Sequence, residues 1–132
     1  MIKLIASDLD GTLLRDGAQE LTPRAVRLIH KLTQKGIHFV AASGRQYDSE
    51  RYIFRKIKDD ISYISDNGSL CIHQGEAISC GNISDGLALR VIDEVRKNSE
   101  YELLISRPEA SYIEAGNPDF ENHMKNVMHF NI

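Results

Sequence analysis

The stretch IASDLDGTLLRDG, residues 5–17, decides the fold, because an apolar run ends there in two acids and a glycine. Asp8 and Asp10 stand one residue apart, so both side chains lie on the same face of an extended strand. A plain turn explains Gly11 and Asp10, since Asp and Gly are common where strands stop. It does not explain Asp8, because two like charges held close resist being ionised together. The pair therefore favours a functional site over a plain turn.

Short apolar runs alternate with amphipathic segments through the first half of the chain. The runs IKLIAS (2–7), IHFVAAS (37–43) and ISYIS (61–65) predict strands. The segments 22–36 and 46–58 between them predict helices, with apolar positions recurring at helical spacing. Strand, helix, strand, helix, strand is the alternation of a doubly wound, Rossmann-like parallel sheet, so we predict an α/β fold.

The first predicted helix has clear signals at both ends. Thr22 is a candidate N-cap, and Pro23 suits the first helical position because its missing N–H costs nothing there. Gly36 can adopt the left-handed conformation that commonly ends a helix.

The pattern changes after residue 67. The runs SLCIH and AISC predict a hairpin, SDGLALRVIDEVRKN predicts a third helix, and YELLISR and SYIEAG predict two further strands. We expect a core over residues 1–82 and a second α/β unit over residues 83–132.

Composition excludes several classes of partner. The net charge of −3 gives no general footprint for nucleic acid or an anionic membrane surface. No apolar stretch approaches the ~18 residues of a membrane-spanning helix, and the run 2–6 is too short for a signal peptide. Cys71 and Cys80 lack metal-ligand spacing and are interpreted as reduced thiols, so we expect a cytoplasmic protein. A hairpin could bring them together, which leaves a disulfide open as a minor alternative.

Polar residues follow each of the three predicted strands. Ligands of such sheets bind outside the carboxyl ends of the strands, so these residues should converge. A plain loop at Ser43-Gly44 and a solvated surface charge at Arg45 remain alternatives. The converging residues are Asp8 and Asp10, then Ser43, Gly44 and Arg45, then Asp66 and Asn67.

The motif DLDGTLL, with SGR at residues 43–45, resembles the haloacid dehalogenase (HAD) superfamily. Within it, the chain is similar to the Cof-type phosphatases, which carry an α/β cap after the third strand. The segments SDNGS and YIEAGNP resemble the corresponding turn and cap of those enzymes. The resemblance extends from residue 1 to about residue 126 and implies a HAD core followed by a cap of type IIB.

The resemblance implies a Mg²⁺-dependent phosphatase of small phosphorylated metabolites. It implies that Asp8 is the nucleophile that forms an aspartyl-phosphate, and that Asp10 is the general acid and then the base. It also implies Mg²⁺ bound by the Asp8 carboxylate and the Asp10 backbone carbonyl. The phosphate- and substrate-binding residues that it implies are Leu9, Thr12, Ser43, Gly44, Arg45 and Asn67.

Two elements of the family pattern have no match in this sequence. The family has a lysine after a later strand and a downstream acidic cluster, and neither Lys97 nor Lys125, and neither Asp85 nor Asp119, fits those roles. We therefore expect the front half of such an enzyme, with an incomplete core, part of a cap and weak activity. The first strand would then be an exposed edge that favours self-association.

Two alternatives to a phosphatase remain open. The chain could be a non-catalytic fragment, or a module that binds phosphate or a metabolite at the same site. A response-regulator receiver domain also uses an aspartate, Mg²⁺ and a parallel sheet. Its acids, however, form an adjacent pair after the first strand, unlike the spaced Asp8 and Asp10.

Overall fold

A five-stranded mixed sheet forms the centre of the computed structural model, which describes all residues 1–132. The strands lie in the order β1-β2-β3-β4-β5, with β1, β2 and β3 parallel and β4 and β5 antiparallel. Their bounds are β1 Leu4–Asp8, β2 His38–Ala42, β3 Ser62–Ser65, β4 Leu70–His73 and β5 Glu76–Cys80.

Two helices connect the parallel strands and pack on the same face of the sheet. Helix α1 spans Pro23–Gln34 and helix α2 spans Tyr47–Ile53. Strand and helix side chains share one buried cluster between these layers, which confirms the predicted α/β class. Its members include Ile29 of α1, Phe39 and Ala41 of β2, Ile53 of α2, Phe54 directly after α2, and Tyr63 of β3.

Helix α1 begins and ends where the sequence signals predict. The Thr22 hydroxyl accepts a hydrogen bond from the Ala25 N–H at 3.1 Å, so Thr22 is the N-cap and Pro23 the first helical residue. Gly36 has φ +74°, the left-handed conformation expected after the last turn.

Helix α2 ends at Ile53, five residues before the predicted end at residue 58. Phe54, Ile57 and Ile61 are all buried in the core cluster. These positions have the spacing of one helical face, and they stay in the core although the chain leaves the α-helix, with Ile57 N–H donating to the Phe54 carbonyl at 2.7 Å in a tighter turn. The apolar periodicity thus continues past the end of the helix, which is why the sequence predicted a longer one.

The predicted hairpin is formed by β4 and β5. Cys71 lies opposite Ser79 and Cys80 lies opposite Leu70, so the two cysteines are not a directly facing pair. Both thiols are free in the structure, as the sequence interpretation favoured.

The second half of the chain contains a short 3-10 helix and several small elements. Helix α3, at Asp85–Val95, packs loosely, and its apolar side chains Leu87, Leu89 and Val91 are exposed. The bounds are Asp66–Gly68 for the 3-10 helix, Asp85–Val95 for α3, Leu104–Ser106 for β6, Ser111–Ile113 for β7, Pro118–Asn122 for α4 and His123–Val127 for a π-helical turn. Strands β6 and β7 form a separate antiparallel pair.

The last residues of the chain return to helix α2. The Gln46 side chain accepts a hydrogen bond from the Asn131 N–H at 2.6 Å and donates to its carbonyl at 3.2 Å. The Ser49 hydroxyl donates to the Met128 carbonyl, and the rings of Tyr52 and His129 stack at 3.7 Å. The segment 128–131, which we call the return segment, thus covers the start of α2.

Strand β1 lies at one edge of the sheet, as the sequence predicts for this chain. Leu4 within it is 56% exposed, and Ile2 just before it is exposed as well. In addition, no helix of the structure is both long enough and apolar enough to span a membrane.

We predict that Thr22→Ala lowers the free energy of unfolding by about 1 kcal/mol, because one N–H of the first helical turn loses its acceptor. Chemical denaturation measured by circular dichroism tests this. Thr22→Ser is the matched control, since it keeps the hydroxyl and should retain most of the stability. Equal stabilities for the alanine and serine variants would show that the cap contributes nothing.

Candidate active site

The loop after β1 is closed by its own backbone. Leu14 N–H donates to the Leu9 carbonyl at 2.8 Å, and Gly11 N–H donates to the Leu14 carbonyl at 2.7 Å. Leu9 and Leu14 are buried in the core and anchor both ends of the loop. Gly11 has φ +85°, a conformation that strains residues with a Cβ, so the glycine permits the turn. The loop therefore presents Asp8 and Asp10 from a fixed frame.

Asp8 is the last residue of β1 and lies opposite Ala42 of β2. Its carboxylate is exposed, and the Thr12 hydroxyl donates a hydrogen bond to its Oδ2 at 2.9 Å. Thr12 thereby orients one oxygen of Asp8. An exposed, oriented carboxylate at the carboxyl end of a parallel strand is able to approach a ligand.

Asp10 is held by Arg45 through two parallel hydrogen bonds. Arg45 Nε donates to Oδ2 at 2.9 Å and Nη2 donates to Oδ1 at 2.7 Å, while Nη2 also donates to Gln19 at 3.1 Å. Arg45 is only 3% exposed, so the interpretation of this residue as a solvated surface charge is wrong. The hydrogen bond from Arg45, aided by its positive charge, outweighs partial burial and lowers the pKa of Asp10.

The loop after β2 is joined to the end of β3 by three backbone hydrogen bonds. Ser43 N–H donates to the Ile64 carbonyl at 2.9 Å, Asn67 N–H donates to the Ser43 carbonyl at 3.1 Å, and Asp66 N–H donates to the Arg45 carbonyl at 2.9 Å. A Cβ on Gly44 would lie only 3.0 Å from Asn67 Oδ1, so a larger residue here would force the Asn67 side chain to shift. Loops after β2 and β3 thus form one unit.

Ser43 is largely buried and already has one partner. Its hydroxyl oxygen accepts a hydrogen bond from the Arg45 N–H at 3.1 Å. The hydroxyl proton is left to donate elsewhere, and a phosphoryl oxygen is a suitable acceptor.

The predicted site residues form three contacting groups at one end of the sheet. Asp8 contacts Thr12, Asp10 contacts Arg45, and Ser43 and Gly44 contact Asn67. Strands β1, β2 and β3 are neighbours and parallel, so all three groups follow the carboxyl ends of adjacent strands. The Leu9 side chain is in the core, so only its backbone faces the loop. The binding and catalytic roles assigned from the sequence stay predictions.

The oxygen donors for Mg²⁺ are few but of the right type. The Asp10 carboxylate is engaged by Arg45, which leaves the Asp8 carboxylate and the Asp10 backbone carbonyl, the two ligands expected from the sequence. Both are hard oxygen donors, which Mg²⁺ prefers, and the ion commonly keeps several waters. No group of three or more His, Cys, Asp or Glu side chains in the structure could hold a metal ion. The residues therefore fit part of a Mg²⁺ shell.

Sequence analysis missed Glu50, a buried acid directly behind these loops. Glu50 is 0% exposed, and the Ser65 hydroxyl donates a hydrogen bond to its Oε2. Burial raises the pKa of Glu50 to about 8, although the bond from Ser65 opposes the shift. Its position three residues after Tyr47 and four before Phe54 places it on the buried face of the helix, which was the available signal.

Asp66 connects the site to the second half of the chain. Burial raises the pKa of Asp66, while the nearby Ser106 side chain acts in the opposite direction. Ser106 is the last residue of β6, so strands β6 and β7 reach the loop that carries Asn67.

The fold and the polar strand ends define an α/β protein with a candidate site at the carboxyl ends of its parallel strands, and comparison with known proteins identifies its family. The profile of the haloacid dehalogenase-like hydrolases matches residues 5–131. The chain therefore belongs to the haloacid dehalogenase-like hydrolase family, as the sequence motifs predicted.

Individual relatives agree with this assignment. The 5-amino-6-(5-phospho-D-ribitylamino)uracil phosphatase YbjI of Escherichia coli is 30% identical over 111 residues, covering 84% of this chain and 41% of that protein. A crystal structure from Eubacterium rectale superposes with a TM-score of 0.80 at 30% identity, covering 98% of this chain and 49% of that one. The HAD subclass IIB sugar phosphatase BT4131 shares the fold, with a TM-score of 0.77 at 18% identity over 98% of this chain and 50% of that one. The chain thus spans about half the length of these relatives.

We predict that stability falls with rising pH through Glu50. Between the ordinary glutamate pKa of 4.5 and about 8, folded Glu50 keeps a proton that the unfolded chain releases. The stabilisation is therefore fully present below pH 4.5 and is lost as pH rises towards 8, by at most about 1.4 kcal/mol per pH unit.

Urea denaturation of the native chain and of Glu50→Gln between pH 5 and 9 tests this prediction. Glu50→Gln cannot ionise at this position. The free energy of unfolding of the variant should therefore rise relative to that of the native chain as pH rises. A constant difference between the two proteins across this range would contradict a buried, protonated Glu50.

Proposed function

We propose that this chain provides the nucleophile and the acid–base residue of a Mg²⁺-dependent phosphatase of small phosphorylated metabolites. The observation that carries the proposal is the exposed carboxylate of Asp8, oriented by Thr12 at the carboxyl end of β1. Membership of the haloacid dehalogenase-like hydrolases and the phosphatase activity named for the E. coli relative support it.

In the first step, an oxygen of the Asp8 carboxylate attacks the phosphorus of a phosphate monoester. The bond from phosphorus to the alkoxide breaks, and Asp8 becomes an aspartyl-phosphate. Asp10 transfers its proton to the leaving alkoxide, which departs as an alcohol. Asp10 must therefore be protonated in this step, whereas Arg45 favours its ionised form.

In the second step, water attacks the phosphorus of the aspartyl-phosphate. Ionised Asp10 accepts a proton from the water, the bond from phosphorus to Asp8 breaks, and inorganic phosphate leaves. The pairing of Asp10 with Arg45 suits this base step, because it holds Asp10 in its anionic form. We infer that Arg45 loosens from Asp10 when a substrate is bound for the first step.

The remaining site residues bind and orient the phosphoryl group. The free hydroxyl proton of Ser43 donates to a phosphoryl oxygen, and backbone N–H groups near Leu9 and Gly44 add donors. Asn67, packed against Gly44, lines the substrate side. When bound by Asp8 and the Asp10 carbonyl, Mg²⁺ supplies positive charge that offsets the negative charge of the phosphate.

We infer that these 132 residues alone are a weak catalyst. The family lysine that stabilises the aspartyl-phosphate and the downstream acidic cluster are not recognisable in the sequence. Electrostatic stabilisers of this kind each contribute several kcal/mol to a transition state, so the loss of two costs on the order of 10⁴-fold.

A module that binds phosphate without hydrolysing it is the second candidate. It is favoured by the bidentate engagement of Asp10 by Arg45 and by the lack of any group of three metal-binding side chains in the structure. Such a module would bind inorganic phosphate but show no aspartyl-phosphate after incubation with an acyl-phosphate donor.

Simpler observations support our proposals for the substrate class and the location of the protein. The E. coli relative is named for a phosphorylated ribityl compound, so a small polyol phosphate is the first substrate to assay. The net charge of −3 argues against nucleic acid as the substrate. Two free cysteines fit a reducing compartment, which supports a cytoplasmic location.

We predict that hydrolysis of an activated aryl phosphate, assayed with Mg²⁺ at high protein concentration, falls to background in Asp8→Asn, because an amide cannot act as the anionic nucleophile. Asp10→Asn should become phosphorylated but release phosphate ~10²–10⁴-fold more slowly, since water loses its base. Intact-protein mass spectrometry detects the phosphorylated form.

The control for this experiment is Asp16→Asn, the same change at an exposed loop position with φ +55°, which asparagine tolerates. It should hydrolyse the ester at the native rate. If Asp8→Asn kept the native rate while Asp10→Asn lost it, the two roles would be reversed. If neither variant altered the rate, hydrolysis would come from another source.

We also propose that the chain self-associates through the exposed edge of β1. Leu4→Lys should shift the mass measured by light scattering towards the monomer, because a charged edge strand resists pairing. Leu28→Lys, on the exposed surface of α1, is the matched control and should leave the mass unchanged. A native chain that is monomeric at every concentration would contradict the proposal.

A further inference from the structure

Three buried side-chain atoms in the structure have no hydrogen-bond partner, and two of them lie behind the candidate active site. They are Nη1 of Arg45, a donor, and Oε1 of Glu50, an acceptor. A buried polar group without a hydrogen-bond partner costs free energy. A donor and an acceptor that both lack a partner in the same region therefore require a physical explanation.

Arg45 and Glu50 belong to one short stretch of chain. Arg45 precedes α2, and Glu50 lies within that helix, five residues later. The positive charge of Arg45 acts on Glu50 in the direction that favours its ionised form. The guanidinium already uses Nε and Nη2 to hold Asp10, so both N–H groups of Nη1 are left.

We propose that Glu50 is a positioning residue, a second acidic partner of Arg45 that competes with Asp10 for the guanidinium when Glu50 is ionised. Its effect on phosphate-ester hydrolysis rests on the function proposed above. The pairing of Arg45 itself does not depend on that function.

Charged and titratable groups around Glu50 set the balance between its protonated and ionised forms. Asp66, beyond the end of β3, disfavours the ionised form by like-charge repulsion, and Tyr63 on the same strand also interacts electrostatically with Glu50. The Ser65 hydroxyl and Arg45 favour the ionised form. While Glu50 is protonated, Arg45 remains on Asp10, as in the structure.

Ionisation of Glu50 changes this arrangement. A buried carboxylate without a cationic partner is strongly unfavourable, and Arg45 is the cation whose charge stabilises it. A hydrogen bond donated by Arg45 Nη1 to Glu50 Oε1 would give both of these atoms a partner. Movement of the guanidinium towards Glu50 lengthens its contacts with Asp10, which gives the Asp10 side chain more freedom to move within the site.

The experiment follows the ¹³Cζ resonance of Arg45 in isotopically labelled protein between pH 6 and 9.5. Arg45→Lys assigns the signal. We expect one transition with a midpoint near 8 in the native chain. In Glu50→Gln the transition should be absent, with the resonance fixed at the low-pH position of the native protein, because glutamine mimics the protonated acid.

Two further variants make the result specific. Ser65→Ala removes the hydrogen bond that favours ionised Glu50, so the midpoint should move to higher pH. Glu20→Gln is the matched control, since Glu20 is exposed and pairs with Arg55 at 2.6 Å instead. It should leave the transition unchanged.

A flat Arg45 resonance in the native chain would overturn the proposal, as would a transition that persists unchanged in Glu50→Gln. If Glu50→Gln does not fold, a midpoint unmoved by Ser65→Ala overturns it instead. The readout needs no turnover. A titrating Arg45 together with hydrolysis unaffected by Asp8→Asn would uphold the role of Glu50 and contradict the proposed phosphatase.

Discussion

The bidentate contact between Arg45 and Asp10 is the interaction on which the arrangement of the site depends. It joins the loop after β1 to the loop after β2, two segments that are 35 residues apart in sequence. Because Arg45 is almost fully buried, its charge must be compensated at this point, and Asp10 is the acid that does so. Backbone bonds then tie the loop after β2 to the end of β3, so all three strand ends are held as one unit.

This constraint also separates the two acids that looked equivalent in the sequence. Asp8 keeps an exposed carboxylate with one neutral partner, whereas Asp10 is neutralised by a guanidinium. Placing the two side chains in different electrostatic environments is the general way in which neighbouring carboxylates acquire different tasks. The guanidinium thereby offsets the charge of one of the two acids and weakens the repulsion expected from their spacing.

Much of the fold could be predicted because its signals are local. The cap at Thr22, the left-handed Gly36 and the turn at Gly75 between β4 and β5 depend on residues within a few positions of one another. The early end of α2 could not be predicted in the same way, because the apolar spacing of Phe54 and Ile57 still fits a helix beyond Ile53. The burial of Arg45 was equally inaccessible, since charged side chains are rarely buried and its partner Asp10 lies on another loop, whereas for Glu50 only its helical spacing from Tyr47 and Phe54 gave a signal.

The return segment fastens the end of the chain to the start of α2, through hydrogen bonds between Gln46 and Asn131, which are 85 positions apart in the sequence. The fastening consists of the hydrogen bonds of Gln46 and Ser49, at about 1 kcal/mol each, and one ring stack. Because the return segment adds no strand to the central sheet, it can detach from α2 while the sheet beneath stays folded. Solvent would then reach the buried start of that helix, one residue from Arg45, through a local opening far less costly than global unfolding.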